Sequence, residues 1–570
     1  MTPDQPLEGG LEEPAGLEPE QGSLALADPA DDHDRSRWEA AAAAVLRKAG
    51  RLGEDDPDAR VWQALAHRTL DGIPVTPLGT PELLQDLVTH GRPRRPGGWE
   101  VRTRPVDREQ ALGDLDGGAT SLWLPAAADL PAILDGVLLD LAPVVLSDAT
   151  PEHARALLDL AGDVRPAPGT NLGAAATGEH AVEVARLALD AGVLGAVVDA
   201  TGVHEEGASD VQELGWALAA GATYLRTLEA AGHPVEEAAA LVELRLVATD
   251  EQFVTIAKMR AARRLWTRML ELCGVPGGAT PSVRLHAVTS RPMMSKYDPW
   301  VNMVRSTVAA FAAGVGGADA VTVVPFDSPL GQPDAFGRRI ARNTSSLLLA
   351  ESHVGRVVDP AGGAYAVEKL TDDLAVAAWE ELGRIEADGA AAFSERVAAV
   401  SAAREEQVAH RTRPVTGLTE FPNPGETLPE RAGPADDVRR WGASFEALRD
   451  EPAGRPVFLA TMGPVAAHTA RATFAANLFA AGGVAVETGG ASEAVEDVVA
   501  AFRASGAPVA CLCGTDAAYA DRGRELVGAL REAGARRVVV AGEADLGADD
   551  QCFAGVDALA FLRRVREELA

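Results

Sequence analysis

The sequence predicts an α/β protein in two parts: a (β/α)8 TIM-type barrel, then a smaller doubly wound domain of the flavodoxin-like kind. Three observations carry this. From about 120 to 400, short β-rich runs alternate with longer Ala/Leu-rich stretches. Residues 401–455 interrupt the rhythm with Pro, Gly and charge. From 456 to 570 the alternation returns.

Residues 1–35 are acidic, rich in Pro and Gly, and aperiodic, which reads as a disordered tail. Residues 36–119 form an N-terminal arm and lead-in segment, starting with a helix over WEAAAAAVLRKAGR (38–51). The expected barrel strands are SLWLPA (121–126), PVVLSD (143–148), NLGAAA, GAVVDA (195–200), LRLVAT (244–249), RLHAVTS (284–290), AVTVVPFD (320–327) and RVVD (356–359). Each precedes a helical stretch. Near-continuous apolar strands are buried on both faces, as in a parallel sheet, and eight such units favour closure over an open sheet. Residues 401–455 read as an interdomain linker. PVFLATMG, VAVETGG, PVACLCG and RVVVAGE then supply the strands of the second domain.

Composition narrows function. Acids outnumber bases by 84 to 52, a net charge of -32. That disfavours nucleic acid and anionic membrane as partners, since both need a basic footprint. No run reaches the roughly 18 apolar residues of a membrane span, and the first residues lack a secretory pattern. A cytoplasmic setting is expected. Cys511 and Cys513, in PVACLCG, would share one strand face. With no second Cys/His pair nearby they read as core residues rather than metal or redox ligands.

In a barrel, chemistry sits on the loops after the strands. His204, Ser290, Arg291, Asp327 and Asp359 fall there. Asp327 and Asp359, beside Ser-Pro and Pro-Ala, read as helix caps. His204 is an acid/base candidate or a structural residue. GVGGADA (314–320) follows a helix and precedes a strand. That is the wrong order for a phosphate loop, so it reads as a C-cap.

Longer strings carry a resemblance. RTLDGIPVTPLGT (68–80), SKYDPWVNMVRSTVAAFAAGVGGADAVTVVPFD and FGRRIARNTSSLLLAESHVGRVVDPAGGAYAVEKLTDDLAVAAW resemble the adenosylcobalamin-dependent methylmalonyl-CoA mutase family. That resemblance implies isomerisation of methylmalonyl-CoA to succinyl-CoA, with the cofactor carrying the radical chemistry. It also implies a C-terminal domain that grips cobalamin through D-x-H-x-x-G, S-x-L and G-G strings.

Here the strings depart. MGPVAAHTARA (462–472) keeps His468 in a degenerate position, with Ala466 where the family has Asp and Arg471 where it has Gly. The sequence offers no acceptor for the second nitrogen of His468, and Arg471 would crowd a corrin. CLCGT (511–515) replaces S-x-L and AGEAD (541–545) replaces G-G. In the barrel, GGWEVRTRPVD (97–107) lacks the family's Tyr. TNLGAAATGEH has no counterpart of the substrate Arg, and GVH (202–204) leaves His204 as a vestigial catalytic candidate.

These departures resemble the small-subunit branch of the heterodimeric bacterial enzyme. That resemblance implies a chain without catalytic, cofactor or metal residues of its own. Adenosylcobalamin and acyl-CoA would sit on a homologous catalytic large subunit, in a heterodimer, and residues 456–570 would be a degenerate cobalamin-binding-like domain. The alternative is a self-sufficient acyl-CoA mutase with an atypical site, or the small subunit of a related acyl-CoA mutase. Trp38, Val45, Leu46, Leu52, Val61, Trp62 and Leu65 would serve as an interface arm or pack within this chain.

Overall fold

The structure, a computed structural model, describes residues 33–87, 97–276, 281–492 and 494–570. The expected acidic tail lies almost wholly outside the described residues. The described chain forms two compact units. One comprises residues up to Arg68 with Pro74–Leu78; the other comprises Thr69–Ile73 and everything from Gly79 on.

The first unit is built on α1 (Arg35–Lys48), N-capped by the Asp34 carboxylate. Ala43, Leu46, Leu52 and Val61 form its own small core, with Trp38, Trp62 and Leu65 packed on it. The two indoles meet at 4.6 Å, and Trp62 donates to Glu39 at 2.6 Å. Most of the arm's apolar residues therefore satisfy one another. Val45 alone of that set is largely exposed, at 67%.

In the second unit eight parallel strands close into a barrel: β1 (Glu100–Thr103), β2 (Ser121–Pro125), β3 (Val144–Ser147), β4 (Asn171–Ala175), β5 (Leu194–Asp199), β6 (Val242–Ala248), β7 (Arg284–Thr289) and β8 (Ala320–Thr322). Closure pairs β8 with β1, Ala320 opposite Glu100. Seven of the eight expected runs are strands; the eighth expectation needs correction. RVVD (356–359) is a 3₁₀ turn and loop, with Val357 and Val358 exposed and Asp359 paired to Arg260. The missing strand is β1, twenty residues before the expected start. Its run, EVRT, reads as polar because Glu100 and Arg102 belong to an ion network inside the barrel.

Helices α2 (Asp210–Ala230), α3 (Gln252–Leu272), α4 (Ala335–Ser346) and α5 (Tyr365–Ala409) belong to the barrel unit. Ser209 caps α2 with a capping box to Gln212, and Asp71 accepts from the Ser209 hydroxyl. α5 is two helices joined at Gly389, whose φ of 80° only glycine adopts readily.

Residues 410–442 hold no long regular element, yet they are not a free tether. Arg305 donates to the Thr416 carbonyl at 2.6 Å, Arg449 to Glu426 at 2.7 Å, and Trp441 N–H to the Pro292 carbonyl at 2.9 Å. The bonds to Arg305 and Pro292 fix the stretch against the barrel, and the bond to Arg449 ties it to the helix Ala443–Asp450.

The chain then forms five parallel strands, β9 (Val457–Thr461), β10 (Val486–Thr488), β11 (Val509–Cys513), β12 (Arg537–Ala541) and β13 (Asp550–Cys552), in the order β10-β9-β11-β12-β13. Alternate residues feed two cores. Val457, Leu459, Cys511 and Cys513 join α6 (Val465–Ala481) and the C-terminal α9 (Ala558–Leu569). Phe458, Ala460 and Leu512 join α7 (Val495–Ser505) and α8 (Arg524–Glu532). Cys511 and Cys513 are thus core residues beside Cys552, and contact with the Cys513 and Cys552 thiols, then burial, pushes the Cys511 pKa up.

Candidate functional site: the barrel mouth and two neighbouring clusters

A cavity of about 690 Å³ opens at the strand C-termini, the end of a barrel where sites are built. Arg104 follows β1, Pro125 ends β2, Ser147 and Asp148 follow from β3, Asp199 and Thr201 from β5, and Arg291 from β7. Trp123 lies at its base, with Val288 and Val324 packed beside it.

Below Trp123 the barrel is full. Arg245, on β6, places its guanidinium carbon 4.0 Å from the Trp123 ring, on β2. These strands are four apart in an eight-strand closed sheet, so the contact crosses the axis. His286 meets Trp123 edge-on at 5.3 Å, accepts from Arg245 Nε at 3.0 Å and bonds Thr322 at 2.8 Å. One layer down, Arg102 bonds Glu243 at 2.8 Å across the axis, and Arg284 bridges Glu243 and Glu100. Burial, then Arg102, Arg245 and Arg284, hold the His286 pKa well below its usual value, so the ring is neutral. Burial alone would raise Glu243, but Arg102 and Arg284 hold it low and charged. The barrel interior is a packed ionic plug.

The second cluster contains His204. Its Nε2 lies 2.9 Å from the Ser290 hydroxyl, and its Nδ1 lies 3.5 Å from Glu213. The order Ser–His–Glu has the outline of a nucleophile, base and orienting acid. Its surroundings argue otherwise. Ser290 is 1% exposed, and its oxygen already accepts the Met293 N–H. Glu213 is taken by Lys258 at 2.9 Å and by the Val247 N–H at 2.6 Å. Asp210 pairs with the same Lys258 at 2.7 Å. This is a sealed, satisfied network beside α2 and α3.

Three other loop residues are held in ion pairs, two of them against expectation. Arg291 forms a bidentate pair with Glu205, at 2.6 and 2.7 Å. Asp327 does not cap α4; Asp334 does, and Asp327 instead holds Arg431 at 2.5 Å. Asp359 caps nothing and pairs with Arg260. For both aspartates a buried arginine from a distant segment outcompetes the local backbone.

The third cluster lies where the C-terminal strand order reverses, between β9 and β11. Open α/β sheets bind ligands outside the strand ends at such points. His468 sits in the first turns of α6, nearly buried, and its Nδ1 lies 3.2 Å from the Gly463 carbonyl. This corrects the expectation that no acceptor faces its second nitrogen: the turn's own backbone supplies one. Arg471, one turn on, reaches across the crevice. Nη1 donates to the Gly514 carbonyl at 2.6 Å, Nη2 to Asp516 at 2.5 Å, and the guanidinium lies 4.7 Å from the Tyr519 ring. A Cβ on Gly542, at the end of β12, would meet that guanidinium at 3.3 Å. Arg471 thus occupies the space between three strand ends. The residues do not fit a corrin there. No group of three or more His, Cys, Asp or Glu able to hold a metal occurs among the described residues.

The residues that sequence reading missed are Arg104, Trp123, Glu243, Arg245 and His286. The signal was available: charged or polar residues two apart inside apolar runs, as in VELRLVA and RLHAVT, share one strand face.

Comparison with known proteins gives the family. The methylmalonyl-CoA mutase family model matches residues 195–452. A protein named methylmalonyl-CoA mutase small subunit, from Streptomyces virginiae, is 45% identical over 95% of this chain and 98% of its own. The chain belongs to the methylmalonyl-CoA mutase family. This is a cobalamin-dependent isomerase family. A second relative, from Mycobacterium tuberculosis (strain ATCC 25618 / H37Rv), is named probable methylmalonyl-CoA mutase small subunit and is 40% identical over 89% of this chain and 92% of its own. A methylmalonyl-CoA mutase from Rhizobium meliloti (strain 1021) is 37% identical over 34% of this chain and 27% of its own. No helix among the described residues is long and apolar enough to cross a membrane.

Proposed function

We propose that this chain is the non-catalytic small subunit of a methylmalonyl-CoA mutase. It pairs with a homologous large subunit that holds adenosylcobalamin and acyl-CoA and carries out the isomerisation, in the cytoplasm. The observation that carries the reading is Arg471 bound to Gly514 and Asp516 across the C-terminal crevice. The strand order β10-β9-β11-β12-β13 is that of flavodoxin-like domains, which bind cofactors at this reversal. A guanidinium tied to the loop after β11, with Gly542 of the next strand end close beside it, takes the place a corrin would need.

The barrel supports the same reading. An acyl-CoA carries a long pantetheine arm, and passage along a barrel axis needs an open lumen. Trp123–Arg245 and Arg102–Glu243 cross this one. Whole-chain likeness runs to relatives named small subunit, whereas the Rhizobium mutase matches about a third of the chain.

The test is a titration of the purified chain with adenosylcobalamin, read by its visible absorbance, beside the co-expressed pair. The expected result is no bound cofactor on this chain and full activity only in the pair. Micromolar binding with a His-ligated spectrum, or mutase turnover by the chain alone, would overturn the proposal and favour the self-sufficient reading.

A further inference from the structure

The outer helices of a barrel ordinarily turn charge to water. The helix Pro151–Ala161 exposes Glu152, Arg155 and Asp159, and the helix Ala181–Ala191 exposes Glu183, Arg186 and Asp190. The helix Val301–Val315 does not. Its one charged residue, Arg305, is buried and donates to the Asn302 side chain and the Thr416 carbonyl. Its outward residues recur at helical spacing: Trp300 at the N-cap, then Val304, Thr307, Val308 and Phe311. Trp300 is 48% and Val304 62% exposed, while Val308 and Phe311 are half-buried. α4 packs alongside and repeats the pattern. Phe336 and Leu347 are exposed, with Ile340 and Asn343 half-buried between them. The buried Phe326 joins the two stripes, stacked on Trp300 at 5.2 Å and edge-on to Phe336 at 6.0 Å. The turn Val354–Arg356 packs against the first of these helices, and the valines after it, Val357 and Val358, are exposed as well. A cation borders this face. Arg339 is exposed, its guanidinium carbon 5.5 Å from the Phe336 ring, and it forms no ion pair among the described residues.

Contiguous exposed apolar surface marks an interaction site, and the buried centre of a protein interface is poor in charge and rich in aromatic residues. We propose that this helix pair is a docking surface for the homologous large subunit, which meets it with an apolar helix face and a carboxylate opposite Arg339, an assignment that rests on the pairing proposed above. A second copy of this chain fits less well. Two copies would each bring a net charge of -32 and repel at long range. Each would also bring Arg339 to the same border, and neither stripe holds a carboxylate to receive it. A homologue of the same fold, related by a pseudo-two-fold axis, offers the equivalent helix pair with side chains of its own. A stable interface uses roughly 20–30 residues a side, so the two stripes form its apolar centre and other surface completes it.

Val304→Asp and Leu347→Asp, each made in the full chain and co-expressed with the large subunit, test this by sedimentation of the purified pair. Either carboxylate would be buried unpaired at the interface, so pair affinity is expected to fall about tenfold or more. Leu138→Asp, at an exposed leucine elsewhere on the barrel unit, should leave affinity unchanged. Arg339→Glu should weaken the pair more than Arg339→Gln. Val304 and Leu347 are exposed, so the free variants should melt at the wild-type temperature, which separates loss of a partner from loss of structure. Hydroxyl-radical labelling reads the same face without a substitution: Trp300 and Phe336 should react in the free chain and be protected in the pair. Wild-type affinity in both Asp variants, or equal labelling of Trp300 and Phe336 in the free and paired chain, would overturn this assignment while leaving the pairing intact. Failure of the unmodified chain to pair with the large subunit would overturn the pairing and this surface with it. Self-association of the chain, abolished by Val304→Asp, would give the face to a second copy and overturn the choice of occupant.

Discussion

The barrel lumen and the C-terminal crevice are both filled, but by different physics. The lumen is filled by a network of at least three strands: Arg102, Glu243, Arg284 and Glu100, capped by Trp123, Arg245 and His286. Arg102, Glu243 and Arg245 are fully buried, Glu100 and Arg284 partly so, and each depends on its partners, so the arrangement is cooperative. The crevice is filled by one side chain, Arg471, whose partner Asp516 is largely exposed. The first is a committed core. The second is a surface latch on an otherwise intact sheet. Filling an interior with a paired ionic network and filling a crevice with one long side chain therefore differ in what it takes to reverse them.

Breaking the lumen should have the largest effect. Glu243→Ala removes the one fully buried carboxylate of the network and leaves Arg102 and Arg284 to share Glu100. Removing one partner of a buried pair costs roughly 3–5 kcal/mol, so urea denaturation should show a loss of that order, or an unfolded chain. A loss under about 1 kcal/mol would show that water reaches the network and that the lumen is not sealed.

His204→Ala probes the neighbouring sealed cluster. It leaves the Ser290 hydroxyl without its ring partner and should cost about 1–3 kcal/mol in denaturation. Mutase activity of the assembled pair should stay within about threefold, whereas a general acid/base role would account for a hundredfold or more. A hundredfold loss with the complex intact would make this barrel catalytic.

Deleting residues 1–60 removes α1 and most of the arm's small core. The pair should assemble more weakly on size-exclusion chromatography, while deletion of 1–35, which spares nearly all of that core, should leave assembly nearly intact. Equal assembly of both would exclude the arm from the interface.

The latch should matter less. Arg471→Gly should change stability by about 1 kcal/mol or less, as expected for a partly exposed pair. It should not confer cobalamin binding, because the Gly of the family pattern would return without its Asp. Binding restored by this one change would show that the latch alone closes the crevice.

A pH titration gives the subtlest contrast. Burial raises the Asp71 pKa to about 6, against hydrogen bonds from Ser209 and Val211 that lower it. The folded state thus holds this proton to higher pH than the unfolded state. The stabilisation is present below the unfolded pKa of about 3.9 and is lost as pH rises through about 6. Asp71→Asn should flatten the fall in stability between pH 4 and pH 6 without shifting other transitions. An unchanged profile would mean that the carboxyl stays hydrated.

Much of the fold was legible in the sequence because parallel strands buried on both faces declare themselves as apolar runs. Seven barrel strands and the three central C-terminal strands, β9, β11 and β12, show that pattern. β1 did not, because Glu100 and Arg102 point into the lumen, where only ions from other strands make them tolerable. RVVD misled for the opposite reason: two valines beside a proline read as buried and are exposed. The degeneracy of MGPVAAHTARA was likewise visible as Ala466 and Arg471, since a missing carboxylate or glycine needs no coordinates.

What tertiary structure alone decided is partnership. Residue type fixes that Ser290, His204 and Glu213 could form a relay; only packing shows Lys258 and the Val247 N–H already holding Glu213. The sequence likewise presents Arg102, Arg104, Arg245 and Arg291 as four cations of one kind. Three are answered by carboxylates from β6, β5 and the loop after it. Arg104, one residue beyond the end of β1, is left facing the cavity. Periodicity is local and survives in the sequence. Pairing of charges spans the barrel and is set only when the sheet closes.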